Sequence, residues 1–254
     1  MIKNGAHFWP SPLAKLYRMV RLTPEVDKVV LFIPPLFEGA NNTRHAYSKM
    51  AQVLLDNHFS SIIFDYSGTG DSELSLAECN FNQWKAELLA QCSALKAQYP
   101  QVHITLITCI SGALMIDAPL AEQANNIVLW HPECVGKKFI TQLKRMAKLQ
   151  AVDNHYQVPE GCTFLAGYEI PNAMIKAISE ANFTLPKRYA NSLLWLELNT
   201  NEVIFEPRKQ LYDEFASGLH SSIFALPSIK FWQASELIVP HELIQQTMDW
   251  LNEQ

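Results

Sequence analysis

The stretch that most constrains the fold is Val102-His-Ile-Thr-Leu-Ile-Thr-Cys-Ile-Ser-Gly-Ala-Leu-Met115. His103 to Thr108 reads as a buried strand, followed by a sharp turn and a helix from near Ser111. A strand that turns directly into a helix must cross back before the next parallel strand, which makes this a βαβ unit. Lys28 to Ile33, Ser60 to Asp65, Asn126 to His131 and Ser192 to Leu198 are further runs apolar on both faces, as strands inside a parallel sheet require. Helical spacing falls between them. Tyr47, Met50, Ala51 and Leu54 share one face of a helix from Arg44 to His58, and Trp84, Leu88, Cys92, Leu95 and Tyr99 share one from Asn82 to Tyr99. This rhythm predicts an α/β chain with a mostly parallel central sheet and helices on both faces. Pro12 to Leu22 reads as an antiparallel edge pair, Ser228 to Trp232 as the last strand, and a closing helix enters through Pro240.

With 254 residues, 48% of them hydrophobic, the chain suits one domain with a sizeable core, residues 1–254. Gly136 to Ala190 breaks the rhythm and reads as an inserted helical cap. Within it Lys137 to Leu149 is a basic amphipathic helix, and Pro171 to Ala181 is a second helix. The basic helix leaves peripheral membrane contact open, but no run reaches the ~20 apolar residues of a membrane span. A net charge of −5 excludes a strongly basic nucleic-acid surface. The five cysteines are scattered and include no C-x-x-C pair, so neither a metal site nor a disulfide framework is expected, and reduced cytoplasmic thiols are. The Met1 to His7 stretch has no apolar run of a signal peptide. No cofactor motif stands out: Gly68-x-Gly70 lacks a third glycine and a following lysine, and reads as a tight turn.

The strand–turn–helix stretch has the place and shape of the nucleophile elbow of an α/β-hydrolase, normally G-x-S-x-G. Here the pentad is Thr108-Cys109-Ile110-Ser111-Gly112, and the apex, Ile110, cannot attack a carbonyl. A triad also needs a histidine and an orienting carboxylate. The loop Gln233 to Glu236 holds no histidine, and Glu197 and Glu202 are the nearby acids. Catalytic residues are therefore unassigned, with Ser111, Cys109 and His131 as weak candidates. Cys109 is expected in the core, and Ser111 in the first helical turn. His131 lies at a strand's carboxyl end, where open α/β sheets bind ligands. What survives without a triad is an anion site. Its parts are the elbow helix N-terminus at Ser111, a loop N–H near Phe37 and the cation of Arg44. Trp130, Tyr168 and Trp232 could form an aromatic wall.

Several stretches together resemble the second of two hydrolase-like families that accompany exosortase A in bacterial exopolysaccharide gene clusters. They are Pro34-Pro35 with Glu38, Asn41 and Arg44; Asp65 with Gly68 to Ser72; Trp84; and Gly112-Ala-Leu114. Further on they are Leu129-Trp130 with Pro132, Gly136 and Lys137; Gly167-Tyr168; Trp195-Leu-Glu197; and Phe231-Trp232-Gln233 with Glu236. The resemblance implies an α/β-hydrolase fold and a place in exopolysaccharide metabolism. In that family the apex is commonly arginine, and Ile110 departs even from that. The combined expectation is a degenerate hydrolase that binds a small or lipid-linked ligand. Its ligand set would be Phe37, Glu38, Asn41, Arg44, Ser111, Trp130, His131, Tyr168, Glu197, Trp232 and Glu236. Two alternatives stay open: an active esterase or thioesterase using Ser111 or Cys109, and a membrane-surface interaction protein.

Overall fold

A computed structural model describes residues 2–149, 158–186, 191–216, 220–234 and 236–254. In chain order the elements are β1 (Gly5–Pro10), β2 (Lys15–Arg21), β3 (Lys28–Ile33), α1 (Glu38–Asp56), β4 (Ser60–Phe64), α2 (Phe81–Gln98) and β5 (His103–Cys109). A 3-10 helix, Ile110–Met115, follows, then α3 (Ala118–Ala121) and β6 (Asn126–Trp130). Next come α4 (Gly136–Leu149), β7 (Cys162–Leu165), β8 (Tyr168–Pro171) and α5 (Asn172–Glu180). The chain closes with β9 (Ser192–Asn199), α6 (Glu206–Ala216), β10 (His220–Pro227), a 3-10 turn Phe231–Gln233 and α7 (His241–Asn252).

Eight strands make one sheet in the order β1-β2-β4-β3-β5-β6-β9-β10. The β1–β2 hairpin joins antiparallel through β2 to β4, and every other pairing is parallel. The central strands are apolar on both faces because both faces are covered. On one side Tyr47, Met50 and Leu54 of α1 and Leu243 and Leu251 of α7 pack on Phe32, Ile107, Trp130 and Leu196. On the other, Trp84, Leu88, Cys92 and Leu95 of α2 pack on Leu31, Ile33, Leu106 and Leu129. The parallel strands all point their carboxyl ends to one edge, and the elbow, Phe37 and His131 gather there.

Several elements differ from the sequence reading, and Pro12 to Leu22 holds one strand, β2, whose hairpin partner β1 precedes it. Helix α1 starts at Glu38, not Arg44. Its N-cap is Phe37, which makes no side-chain capping bond, so no capping residue marks the start. The last strand is β10, not Ser228 to Trp232. As an edge strand it buries only Leu226, so it lacks an apolar run, whereas Phe231 and Trp232 are apolar because a buried 3-10 turn carries them. Helix α6, in the connection to β10, carries no strong periodic signal: of its side chains only Ala216 is fully buried.

No described residue of 136–186 pairs into the eight-stranded sheet. Helices α4 and α5 flank a small hairpin of β7 and β8, which was not read from the sequence. Ile140 and Leu143 of α4 are buried, while Lys137, Lys138, Lys144, Arg145 and Lys148 face solvent. The apolar face of the basic helix is thus spent on internal packing, with Met146 left exposed. Gly136 is the close point between the two helices. A β-carbon there would collide with the Ile178 carbonyl and sit 2.6 Å from that of Ala181. We expect Gly136→Ala to destabilise the protein by about 1–3 kcal/mol, the range for forcing atoms into a packed site, measured by urea denaturation.

Candidate functional site at the carboxyl edge of the sheet

The elbow keeps a tight geometry. Ile110 sits at φ 43°, an uncommon conformation for any side chain but glycine and a genuine outlier for a β-branched one. Gly112 lets the turn pass beneath the loop after β3. A β-carbon there would collide with Thr108 Oγ1 and stand 3.1 and 3.2 Å from the carbonyls of Ile33 and Pro34. The Ile110 side chain lies against α1, where its Cδ1 would be 3.0 Å from a β-carbon on Gly39. The helix expected from near Ser111 is short. It is six residues of 3-10 helix, cut short where Asp117 caps α3 by accepting from the Leu120 N–H at 3.2 Å. So short a helix builds little dipole, and the anion site expected of its N-terminus loses its main support.

Neither weak nucleophile candidate is primed. Ser111 is buried, and its Oγ accepts the Leu36 N–H at 2.9 Å. Cys109 is fully buried, and burial pushes its thiol well above the usual range, away from the reactive thiolate. No histidine among the described residues hydrogen-bonds either of them; His131 is engaged elsewhere.

His131 follows directly on β6, and Glu197 lies near the end of the neighbouring β9. His131 Nδ1 stands 2.9 Å from Glu197 Oε2. Nδ1 also lies 3.3 Å from the Leu198 N–H, but a nitrogen facing a carboxylate at 2.9 Å must carry the proton, so the carboxylate contact is the bond. Glu197 Oε1 accepts from Arg208 Nε at 2.9 Å, from its terminal nitrogen at 2.6 Å and from Trp195 Nε1 at 2.5 Å. Arg208 donates as well to the Pro132 carbonyl at 2.8 Å. Burial alone would push the Glu197 carboxyl up, but hydrogen bonds from His131 and Arg208 outweigh it and hold its pKa at about 2. The sequence marks His131 and Glu197 by their strand ends. Arg208, on the unread α6, carries no such mark.

No family model matches the chain. Among solved structures, Est1E from Butyrivibrio proteoclasticus with ferulic acid bound aligns over 98% of this chain and 99% of its own, at TM-score 0.71 and 14% identity. Mouse alpha/beta hydrolase domain-containing protein 10 aligns over 98% and 99%, at TM-score 0.61 and 17% identity. The fold is that of an α/β-hydrolase. In sequence, the rat mitochondrial palmitoyl-protein thioesterase ABHD10 is 26% identical over 151 residues, which cover 58% of this chain and 49% of that protein. Its mouse counterpart is 28% identical over 113 residues, 44% and 36% of the two chains. The chain thus spans about half or less of the curated relatives it matches.

In the α/β-hydrolase setting the triad histidine would follow β10, but the stretch from Ser228 to Pro240 contains none. Trp232 of that stretch packs on the His131 ring, centroids 5.3 Å apart. The other candidate residues divide into separate groups. Arg44 is paired with Asp65, which also accepts the Asp71 N–H at 3.1 Å, so its charge is already engaged. Tyr168 donates to Glu38 at 2.7 Å, and Asn41 donates to the same carboxylate at 3.2 Å. Burial, with the Glu38 carboxylate beside it, raises the Tyr168 hydroxyl above its ordinary range. Phe37 stacks on Phe139 of α4 and contacts Tyr168 and Trp84. Trp130, bonded to Thr247 of α7, shares one core layer with Trp232, whereas Tyr168 packs on the opposite layer, so the three do not make one wall. Glu236 lines a shallow cleft of about 180 Å³ with Asn41, His45, Phe231 and Leu237. No group of described residues could hold a metal ion.

Glu197 makes a prediction with a definite sign. Its folded pKa lies below the roughly 4.3 of an unfolded glutamate. The stabilisation is therefore complete above about pH 4.3 and is lost as pH falls through that value towards 2. Glu197→Gln leaves Arg208 buried without its carboxylate, and we expect it to cost about 3–5 kcal/mol at pH 7. The gap between wild type and variant, followed by denaturant unfolding against pH, should close towards pH 2.

Proposed function

We infer that this α/β-hydrolase-fold protein forms no acyl-enzyme at its elbow and holds a small or lipid-linked ligand at the carboxyl edge of its sheet. The observation that carries the reading is Ile110, an unreactive side chain at the strained apex where an attacking oxygen belongs. The lack of a histidine in the Ser228–Pro240 connection supports it; the next one, His241, is the exposed first residue of α7. A role in bacterial exopolysaccharide metabolism follows from the family resemblance, and a cytoplasmic location from the free thiols. The mammalian relatives are mitochondrial by name. No helix among the described residues is long and apolar enough to cross a membrane.

One observation favours a second reading, an active esterase or thioesterase using Ser111 or Cys109: the likeness to proteins named palmitoyl-protein thioesterases. The Ser111–Leu36 bond and the buried Cys109 thiol weigh against it. Binding at a membrane surface has less support, because α4 turns its apolar face inward and interfacial helices keep theirs for lipid. On that ground the protein should stay in the supernatant when sedimented with anionic liposomes.

The test of the main reading is a fluorophosphonate probe on pure protein. Wild type should remain unlabelled. Ile110→Ser alone should also stay inactive, because losing the histidine of a triad costs about as much as losing all three members, on the order of a millionfold. Stoichiometric labelling of wild type that disappears in Ser111→Ala would make Ser111 a nucleophile and overturn the reading.

A further inference from the structure

Helix α4 carries a charge pattern that its own folding does not account for. Between Gly136 and Leu149 it holds five cations, Lys137, Lys138, Lys144, Arg145 and Lys148, and no acid. Taking these five from the chain's 20 cations leaves 15 against 25 acids, a net charge of −10 for the remainder. At 3.6 residues per turn all five fall within about 120° of the helix surface, along roughly 16 Å of its length. All five are exposed, and Thr141 is the only other residue in that arc. Ile140 and Leu143 are buried on another face, Phe139 stacks on Phe37, and the exposed Met146 lies outside the arc.

Most of this strip works against the helix that carries it. Lys137 and Lys138 stand in the first turn, where the macrodipole favours acids. Lys148 is three residues from Arg145 and four from Lys144, the spacings at which like charges on a helix repel. Lys148 alone, in the last turn, suits the dipole. Among the described residues only Lys138 has an acid within ion-pair reach, Glu133 at 3.5 Å. A surface that serves solubility alone mixes both signs, whereas this one has a single sign in a chain of the opposite net charge.

We propose that the outer strip of α4 is a docking surface for an acidic helical segment of another protein. Spacing and size select this partner. Lys137 and Lys138 stand seven residues before Lys144 and Arg145, and Lys148 follows Lys144 by four, so the charges recur at two turns and then one. A helix laid alongside meets them with acids repeated at three- and four-residue steps, as charged flanks pair in coiled coils. A vesicle or a nucleic-acid duplex is wider than the strip. It would bring its phosphates near the acid-rich remainder of the chain, within the about 8 Å over which charges act at physiological salt. A vesicle surface also takes an apolar helix face, and in α4 that face is packed inward. With no apolar side chain in the arc, the contact is electrostatic and salt-sensitive.

The probe is an alanine-rich peptide of roughly 20 residues, long enough to be helical in water, with glutamates along one face at steps of four, three and four. Its control has the same composition with the glutamates spread around the helix. In a chemical-shift titration of the full chain at about 0.01 M salt, the aligned peptide should bind about tenfold more tightly than the control, the worth of a few exposed ion pairs. The shifts should centre on α4, and about 0.15 M salt should weaken the binding. Lys144→Glu/Lys148→Glu should abolish it. Lys137→Glu should raise the urea midpoint, because it removes a cation from the helix N-terminus. Equal affinity for the two peptides, binding of neither, or tighter binding of a short DNA duplex or anionic vesicles overturns the acidic helix. A lowered urea midpoint in both Lys137→Glu and Lys144→Glu shows that the strip serves the fold, and overturns the docking role without any peptide.

Discussion

The carboxyl edge of this molecule depends on a crossing with no room to spare. At Gly112 the chain leaving β5 passes the backbone leaving β3, where a side chain would collide with Thr108 Oγ1 and press on the Ile33 and Pro34 carbonyls. The crossing fixes what lies on either side. One residue earlier, Ser111 is close enough to accept the Leu36 N–H, and two residues earlier Ile110 is turned to positive φ. A strained apex costs about 1–3 kcal/mol, and here it is kept without the reactive group that usually justifies it.

The charged pair beside it follows a different logic. His131, Glu197 and Arg208 come from three separate pieces of the chain, at the ends of β6 and β9 and in α6. Removing such a pair whole can be neutral, whereas removing one member leaves a buried charge unpaired. The group therefore survives as a unit. Beside an apex that carries isoleucine, the acid of this sheet stays ionised and oriented.

How much of this was legible in the sequence follows from burial. β3, β5, β6 and β9 are covered on both faces, so their apolar runs announce them. The edges are harder. β1 alternates between half-buried and exposed residues, and β10 buries a single side chain, so neither offers a run to read. The site shows the same division. Ile110, His131 and Glu197 could be named because strand ends locate them. Arg208 could not, because its value lies in a carboxylate eleven residues away that only the packing of α6 brings near.

The short passage from Pro34 to Glu38 joins two parts of the molecule. Its Leu36 amide holds the elbow serine, its Phe37 ring stacks on α4, and Glu38 receives the hydroxyl of Tyr168. The inserted segment and the elbow are thus coupled through three consecutive residues. Lifting α4 and the β7–β8 hairpin would break the Phe37–Phe139 stack and the Tyr168 bond or pull Phe37 along. In the second case the displacement reaches the Ser111 hydroxyl through one peptide unit. The passage thus ties the inserted segment to the turn beneath it.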